Sequence, residues 1–393
     1  MVTSYYHYKK HCFLNDDIIK MKLNNIAGEW INLLIINEKS RNIIFAGIIS
    51  ILFISLILFS TLSRAEEPEE LELADVIERA FTESHALKME RIRLDNSRIS
   101  HKRTMADADT KSAKIRAERS INRAENQFAE KENEVIIDTV ERYFDFIIDE
   151  MRKEVEKLDF ELEEMDFSQT QTRYDLGQVG ELNFRRQQIN FDLDEFNFKR
   201  SMENYEENVQ EFLIDFAYEE NIELITFPPE TPELPDKDEF KEKMMDNSFR
   251  LYSLEIDIKL AEMDLDREKA LDSPELDIKQ AENDLKLLEL EKEEVLKNLE
   301  SSARGQYLSI EHDKKNVKVN RERLEQAEKS YEIAQEQREM GIIKRSDLLE
   351  ERKQLRNAEI SYYQSRLDYY TAYLELKKSM GYDLEGLIDG LEN

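Results

Sequence analysis

The sequence predicts an all-α protein of two tandem repeats, each a long coiled-coil helical hairpin, with little or no β-strand. Three observations predict it. Phe184, Phe191, Phe198, Tyr205 and Phe212 recur every seven residues, and 164 positions later Leu348, Leu355, Tyr362, Tyr369 and Leu376 occupy the matching places. A seven-residue apolar period draws helices into left-handed supercoils, because so narrow a seam is covered only by a partner helix. Each stripe also begins just past a glycine, Gly177 or Gly341, while none lies between Glu66 and Leu176 or between Glu181 and Arg304. Glycine is costly inside a helix and favourable at its end, so the spacing predicts long helices that turn at those two glycines. Finally, the 164-residue offset runs without a gap beyond the stripes. Val76 matches Phe240, Ala80 matches Met244, Leu87 matches Leu251, Phe146 matches Ile310, Phe160 matches Leu324 and Phe167 matches Tyr331, with Lys153 opposite Val317 as a break. One structural unit has been duplicated.

Taken along the chain, residues 1–65 come before the repeats. Residues 43–62 carry no charge, Lys39 and Arg41 stand just ahead of them, and Ser63 and Ala65 fit the small positions of a signal-peptidase site. The acidic Glu66, Glu67, Glu69 and Glu70 follow. This pattern marks an exported chain. The apolar run is also long enough to span a bilayer, so a removed signal peptide and a retained N-terminal membrane anchor both stand, and Met21 is an alternative start. Cys12 is the only cysteine and Trp30 the only tryptophan. Both precede the run, so neither a disulfide framework nor a lipid-modified cysteine is expected after it.

Residues 66–226 form the first hairpin repeat. Residues 227–237, with Pro228, Pro229, Pro232 and Pro235, have little apolar periodicity and read as the linker. Residues 238–393 form the second repeat, where Pro274 ends one helix and starts the next. From there to Met340 the arm runs for about 65 residues, on the order of 100 Å. Its seam is Ala303, Ile310, Val317, Leu324 and Tyr331, and the return arm adds a line of small residues at Ala358, Ser365 and Ala372. An ordinary antiparallel coiled coil would show the same seams. Gly305 sits inside the long arm, as a bend or a close contact.

Composition excludes several functions. The chain has 393 residues, with 87 acidic against 56 basic side chains and a formal charge of −31. Residues 1–65 carry +3, which leaves −34 on the remainder; such a surface repels phosphates and excludes nucleic acid as a partner. The five histidines show no HExxH spacing, and Asp107 and Asp109 start like a calcium loop but lack its glycine and closing glutamate. No metal site and no cofactor is expected. There is no phosphate-cradling glycine loop and no nucleophile turn, so no catalytic residue is assigned and the chain is not expected to be an enzyme. Its many paired carboxylates read as solvated helix faces.

Three stretches resemble the TolC-type outer membrane efflux protein family. The first runs from Leu71 through Ala80 to Leu87. The second contains Arg173, Tyr174, Gly177, Gly180 and Phe184. The third holds Tyr331, Ala334, Gly341, Asp347, Leu348, Leu349, Leu355, Ala358, Tyr362, Tyr369 and Gly381 at the family's spacing. The resemblance covers roughly residues 70–385. It implies a homotrimer whose hairpins close into a hollow helical conduit across the periplasm. It also implies that the two glycine turns dock a periplasmic adaptor, a membrane fusion protein, of an inner-membrane transporter. Carried over by position, the docking turns are Gly177, Gln178 and Val179 with Gly341, Ile342 and Ile343. The tunnel constriction falls on Asp347 and Glu350, where carboxylates from three chains would crowd and raise one another's pKa. Where family members with a locking network have a basic residue after the second glycine and an aromatic one before it, this chain has Ile343 and Arg338. The family's paired β-strand insertions are missing as well. Residues 105–130 are charged and helix-compatible, and only a short segment around Pro274 separates the matching helices. The family implies the outer membrane, whereas a chain without the barrel would be periplasmic or held by its N-terminal segment. The alternative function is a non-conducting envelope tether or scaffold of the same ancestry.

Overall fold

A computed structural model describes residues 69–218, 222–224 and 231–388. The apolar run at 43–62, Cys12, Trp30, Pro228 and Pro229 lie outside the described residues. In chain order the elements are β1 (Glu69–Leu71), α1 (Leu73–Glu83), α2 (His85–Asp107), α3 (Lys111–Asp175), α4 (Glu181–Asp215), β2 (Ile222–Leu224), α5 (Lys237–Asp246), α6 (Phe249–Ala270), α7 (Glu275–Glu339), α8 (Arg345–Ser379) and α9 (Glu385–Ile388). Among the described residues the fold is all-α apart from β1 and β2, which pair in parallel over three residues.

The duplication holds helix by helix from α1 to α8, but not for the strands. α3 and α7 are each 65 residues long, α4 and α8 each 35, and every one of these boundaries recurs 164 residues later. The helix starts have local causes. Thr110 accepts a hydrogen bond from the Ala113 amide at 3.2 Å, and Ser84 and Ser248 cap α2 and α6 through Leu87 and Leu251. Each such cap satisfies an amide that would otherwise lack a partner in the first turn. Pro274 precedes α7, where a proline carries no penalty. Gly305 is neither a break nor a close contact: α7 runs through it, and a Cβ there would meet nothing within 4 Å.

Each repeat bends twice, so the hairpin read from the stripes is one of two. α3 turns back from α2 at one end and leads into α4 at the other. Across the glycine half, α3 packs on α4 and α8, and α8 packs on α7; across the other half, α3 packs on α2 and α6, and α6 packs on α7. The result is an open arc of four helices, with α7 along one edge and α4 or α2 along the other. The α2–α3 and α6–α7 connections, residues 108–110 and 271–274, contain no strand.

The main core sits at the middle of α3. Ile136, Ile137, Val140, Tyr143, Phe144, Ile147 and Ile148 line one face, and Val76, Ile77 and Ala80 of α1, Phe212 and Phe216, and Leu367, Tyr370 and Leu374 of α8 close over them. The second repeat has its counterpart in Phe240, Met244, Ala303, Ile310, Val317, Tyr369, Leu376 and Met380. The linker is clamped to this core by tyrosines: Tyr369 donates to the Pro232 carbonyl at 2.5 Å and Tyr307 to that of Pro235 at 2.9 Å.

Candidate functional site: the glycine turns

Both turns are built the same way. Gly177 has φ +69° and Gly341 φ +71°. The Gly177 amide donates to Tyr174 O and the Gln178 amide to Arg173 O, each at 2.8 Å; Gly341 and Ile342 repeat this with Arg338 O and Gln337 O at 3.0 and 2.8 Å. This double bond pattern ends a helix through one left-handed residue. Glycine is needed there for its φ, since nothing lies within 4 Å of where a Cβ would stand.

The stripes face the neighbouring arm of their own hairpin. In the first repeat they form a ladder of rings. Tyr174 stacks on Phe184 at 4.4 Å, Phe167 on Phe191 at 4.7 Å, and Phe160 on Phe198 at 4.8 Å. At the break foreseen at Lys153, its ammonium sits 4.1 Å over the Tyr205 ring, and Phe146 meets Phe212 beyond it. Burial, with Glu150 and Asp149 nearby, pushes the Tyr205 phenol up to about 12. In the second repeat Tyr369 and Leu376 are buried, while Leu348, Leu355 and Tyr362 are half-buried.

The tip is apolar. Leu176, Leu182, Met340 and Ile342 are each about two-thirds exposed or more, whereas Val179 and Ile343 are half-covered. Leu176 and Met340 were not singled out from the sequence, although the signal was there: the residue before the glycine is apolar in both copies.

Asp347 is exposed and accepts from the Lys344 amide at 2.9 Å, which caps α8. Glu350 is held below the usual carboxylate range by Lys353, with help from Gln354. Arg338 donates to the Ile343 carbonyl at 3.0 Å and ties the second turn to itself. A lattice of ion pairs joins the hairpins between α3 and α8. Glu154 meets Arg352 at 2.5 Å and Arg356 at 2.8 Å, Asp159 meets Lys353 at 2.9 Å, and Glu161 meets Arg345.

Nearer the middle, α3 and α8 present like charges to each other. Glu141 is raised by lost hydration and then by Asp145, Asp138, Glu375 and Asp368; Asp145 is raised by lost hydration and by Asp149 and Asp368, against Arg152. Glu132, Glu163 and Asp313 are raised as well, each first by lost hydration. A carboxylate raised in the native state binds protons more readily there than in the unfolded chain. Stability therefore grows as pH falls through the window just above the ordinary carboxylate range. Glu268, Glu300 and Glu350 are lowered, and their contribution is lost as pH falls further. The unfolding temperature of the protein is thus expected to rise from pH 7 to about pH 5 and to fall below about pH 4. A monotonic fall from pH 7 downward would contradict this assignment.

Among the described residues no group of three or more His, Cys, Asp or Glu side chains is arranged to hold a metal, and no helix is long and apolar enough to cross a membrane. Residues 260–382 match the family model described as Outer membrane efflux protein. That is a family of efflux proteins rather than of enzymes, placed in the cell envelope. No curated protein matches the chain by sequence. Solved structures share its fold. The Campylobacter jejuni CmeC outer membrane channel is 13% identical with a TM-score of 0.51, over 82% of this chain and 89% of that one. The outer membrane protein VceC from Vibrio cholerae is 12% identical with a TM-score of 0.52, over 79% and 96%. CusC, described in terms of transmembrane channel formation, is 8% identical with a TM-score of 0.52, over 78% and 91%.

Proposed function

We propose that this chain, which carries an outer membrane efflux protein domain on the fold of the TolC-type channels, is a protomer of an export or efflux conduit in the cell envelope. Three copies close head to tail into a hollow periplasmic barrel. The glycine turns, Gly177, Gln178 and Val179 with Gly341, Ile342 and Ile343, dock a periplasmic adaptor of an inner-membrane pump. Asp347 and Glu350 ring the narrow end. Residues 1–65 direct export or anchor the chain, residues 66–226 and 238–393 are the two repeats, and residues 227–237 link them.

The observation that carries this reading is the open arc. A closed bundle would bury both of its flanks, but here each free edge keeps large apolar side chains in water. On α4 these are Leu182, Ile189, Leu193 and Phe196, and along α7 they are Val319 and Ile333, with Met340 just past its end. Exposed apolar stripes of this length mark an interface. The two edges differ, so a contact between them is head to tail, and the curvature of the arc gives such a contact a rotation that can close into a ring.

The test is cross-linking of the full chain in a Cys12→Ser background. Ile189→Cys with Ile333→Cys, treated with a short bismaleimide in the native envelope, is expected to give covalent trimers. Monomers alone would reject the conduit. The strand-free connections at 108–110 and 271–274 favour the second reading, a non-conducting tether or scaffold. That reading is preferred if a deletion strain accumulates dyes normally yet shows altered envelope spacing.

A further inference from the structure

Between α3 and α7 one lane is filled by α8 across the glycine half and by α6 across the other. α8 stops at Ser379 and α6 starts at Phe249. Where the lane changes helix a cleft of about 810 Å³ opens, with both of these residues in its wall. Small-ligand sites occupy roughly 300–1,000 Å³, so the size suits one. The remaining walls come from α3, from Leu299 of α7 and from Gly381, Tyr382 and Asp383 after α8. All of them belong to one copy, so the cleft is complete without a neighbour.

The segment after α8 is pinned in place. Asn133, buried on α3, donates to the Tyr382 carbonyl at 3.5 Å and accepts from the Leu384 amide at 3.2 Å, and Leu384 is itself fully buried. That wall is therefore preformed. Met244 and Leu299 give the cleft an apolar side, and its charged groups are Arg123, Arg250 and Lys378 against Glu130, Glu132 and Asp383. Four of these six already have partners. Arg250 holds Glu291 at 2.6 Å and Lys378 holds Glu375 at 3.2 Å, while Glu130 accepts from Asn126 at 2.9 Å and Asp383 from the Glu385 amide at 3.2 Å. Among the described residues, Arg123 and Glu132 make no hydrogen bond or ion pair.

These two sit at opposite ends of the cleft. Beside Arg123, Asn122 donates to the Tyr252 hydroxyl at 2.6 Å, which places this end against α6. Glu132 lies at the other end, next to Asn133 and the pinned segment. Lost hydration raises its carboxyl, as do Asp383 and then Glu385, against Arg91. A cation brought there would relieve the crowding. Nine residues of α3 separate Arg123 from Glu132, about 13 Å of helix. We propose that the cleft binds a short peptide with free ends, its carboxylate on Arg123 and its ammonium on Glu132. An extended chain covers that span with about four residues, and both contacts are of the strong charge-assisted kind. Met244 and Leu299 receive an aliphatic side chain. Nothing in this requires the ring to close.

The experiment is calorimetric titration of the full chain with tetra-alanine. The free-ended peptide is expected to bind. Acetylating its amine or amidating its carboxyl should each weaken binding about tenfold or more, the loss expected for one charge-assisted hydrogen bond. Glu132→Gln should weaken the free-ended peptide by the same factor yet leave the acetylated one unchanged. Arg123→Gln should likewise weaken the free-ended peptide and leave the amidated one unchanged. A merely structural role for these side chains would weaken all three peptides alike, and that result would overturn the proposal. So would the absence of binding at millimolar tetra-alanine, or an affinity indifferent to both end blocks. Trimer formation through Ile189→Cys with Ile333→Cys is read separately, so failure here leaves the conduit standing.

Discussion

Tyr143→Ala is expected to destabilise the protein by about 3–5 kcal/mol, the range for removing a large aromatic ring from a packed core. Tyr143 is fully buried at the midpoint of α3, edge-on to Phe144 at 5.2 Å, and its hydroxyl donates to the Leu71 carbonyl at 2.8 Å. That bond joins the longest helix of the first repeat to β1. The ring belongs to a core that joins side chains of α1, α3, α4 and α8, so the cavity would weaken both repeats at once. Tyr143→Phe keeps the ring and loses the hydroxyl with its hydrogen bond to Leu71, at about 1 kcal/mol. Urea unfolding of the two variants separates the contributions. An alanine variant that unfolds within about 1 kcal/mol of the parent would show that this core does not hold the arc together.

Gly381→Ala is expected to cost about 3 kcal/mol, well above the roughly 1–2 kcal/mol for Gly177→Ala. Both glycines have positive φ, +78° and +69°. They differ in what surrounds them. At Gly177 a Cβ meets open space, but at Gly381 it would stand 2.5 Å from Cγ and Oδ1 of Asn247. Asn247 cannot swing away freely, because its Nδ2 donates to the Met380 carbonyl at 2.7 Å and to that of Lys243 at 2.9 Å. The matching position in the first repeat is Ala217, which has φ +52°, so the backbone strain alone is tolerable at this point of the fold. Because the Asn247 Cβ would also stand 2.9 Å away, Asn247→Gly, which removes the whole side chain, should remove much of the penalty of Gly381→Ala in thermal unfolding, and Asn247→Ala only part of it. An equal cost at both glycines would refute the collision as its cause.

Much of this architecture was legible in the residues, and the reason is the length of the helices. On α3 the seven-residue stripe Phe146, Phe160, Phe167 and Tyr174, interrupted only at Lys153, leaves no other secondary structure open there, and the glycines at 177 and 341 locate the turns because only they suit a left-handed residue there. Other features were not legible. The stretch 136–148 carries apolar residues three and four apart, yet that spacing alone does not say that α1 and α8 cover it. The three-residue strand pair has no sequence signal of its own, because two strands so short take their stability from the core beneath them. Asp347 and Glu350 were chosen by position relative to a glycine; the structure shows one as a helix cap and the other paired with Lys353.

The sequence by itself determined the duplication, the all-α class, the lengths of the arms and the positions of their turns, since each is a property of neighbours along the chain. Only the tertiary structure decided which helices stand side by side. From that follow the ion lattice between α3 and α8, the core around Tyr143, and the two free edges with their exposed apolar side chains. Periodicity reports that a helix has a face to cover, but what covers it depends on distances between segments far apart in sequence.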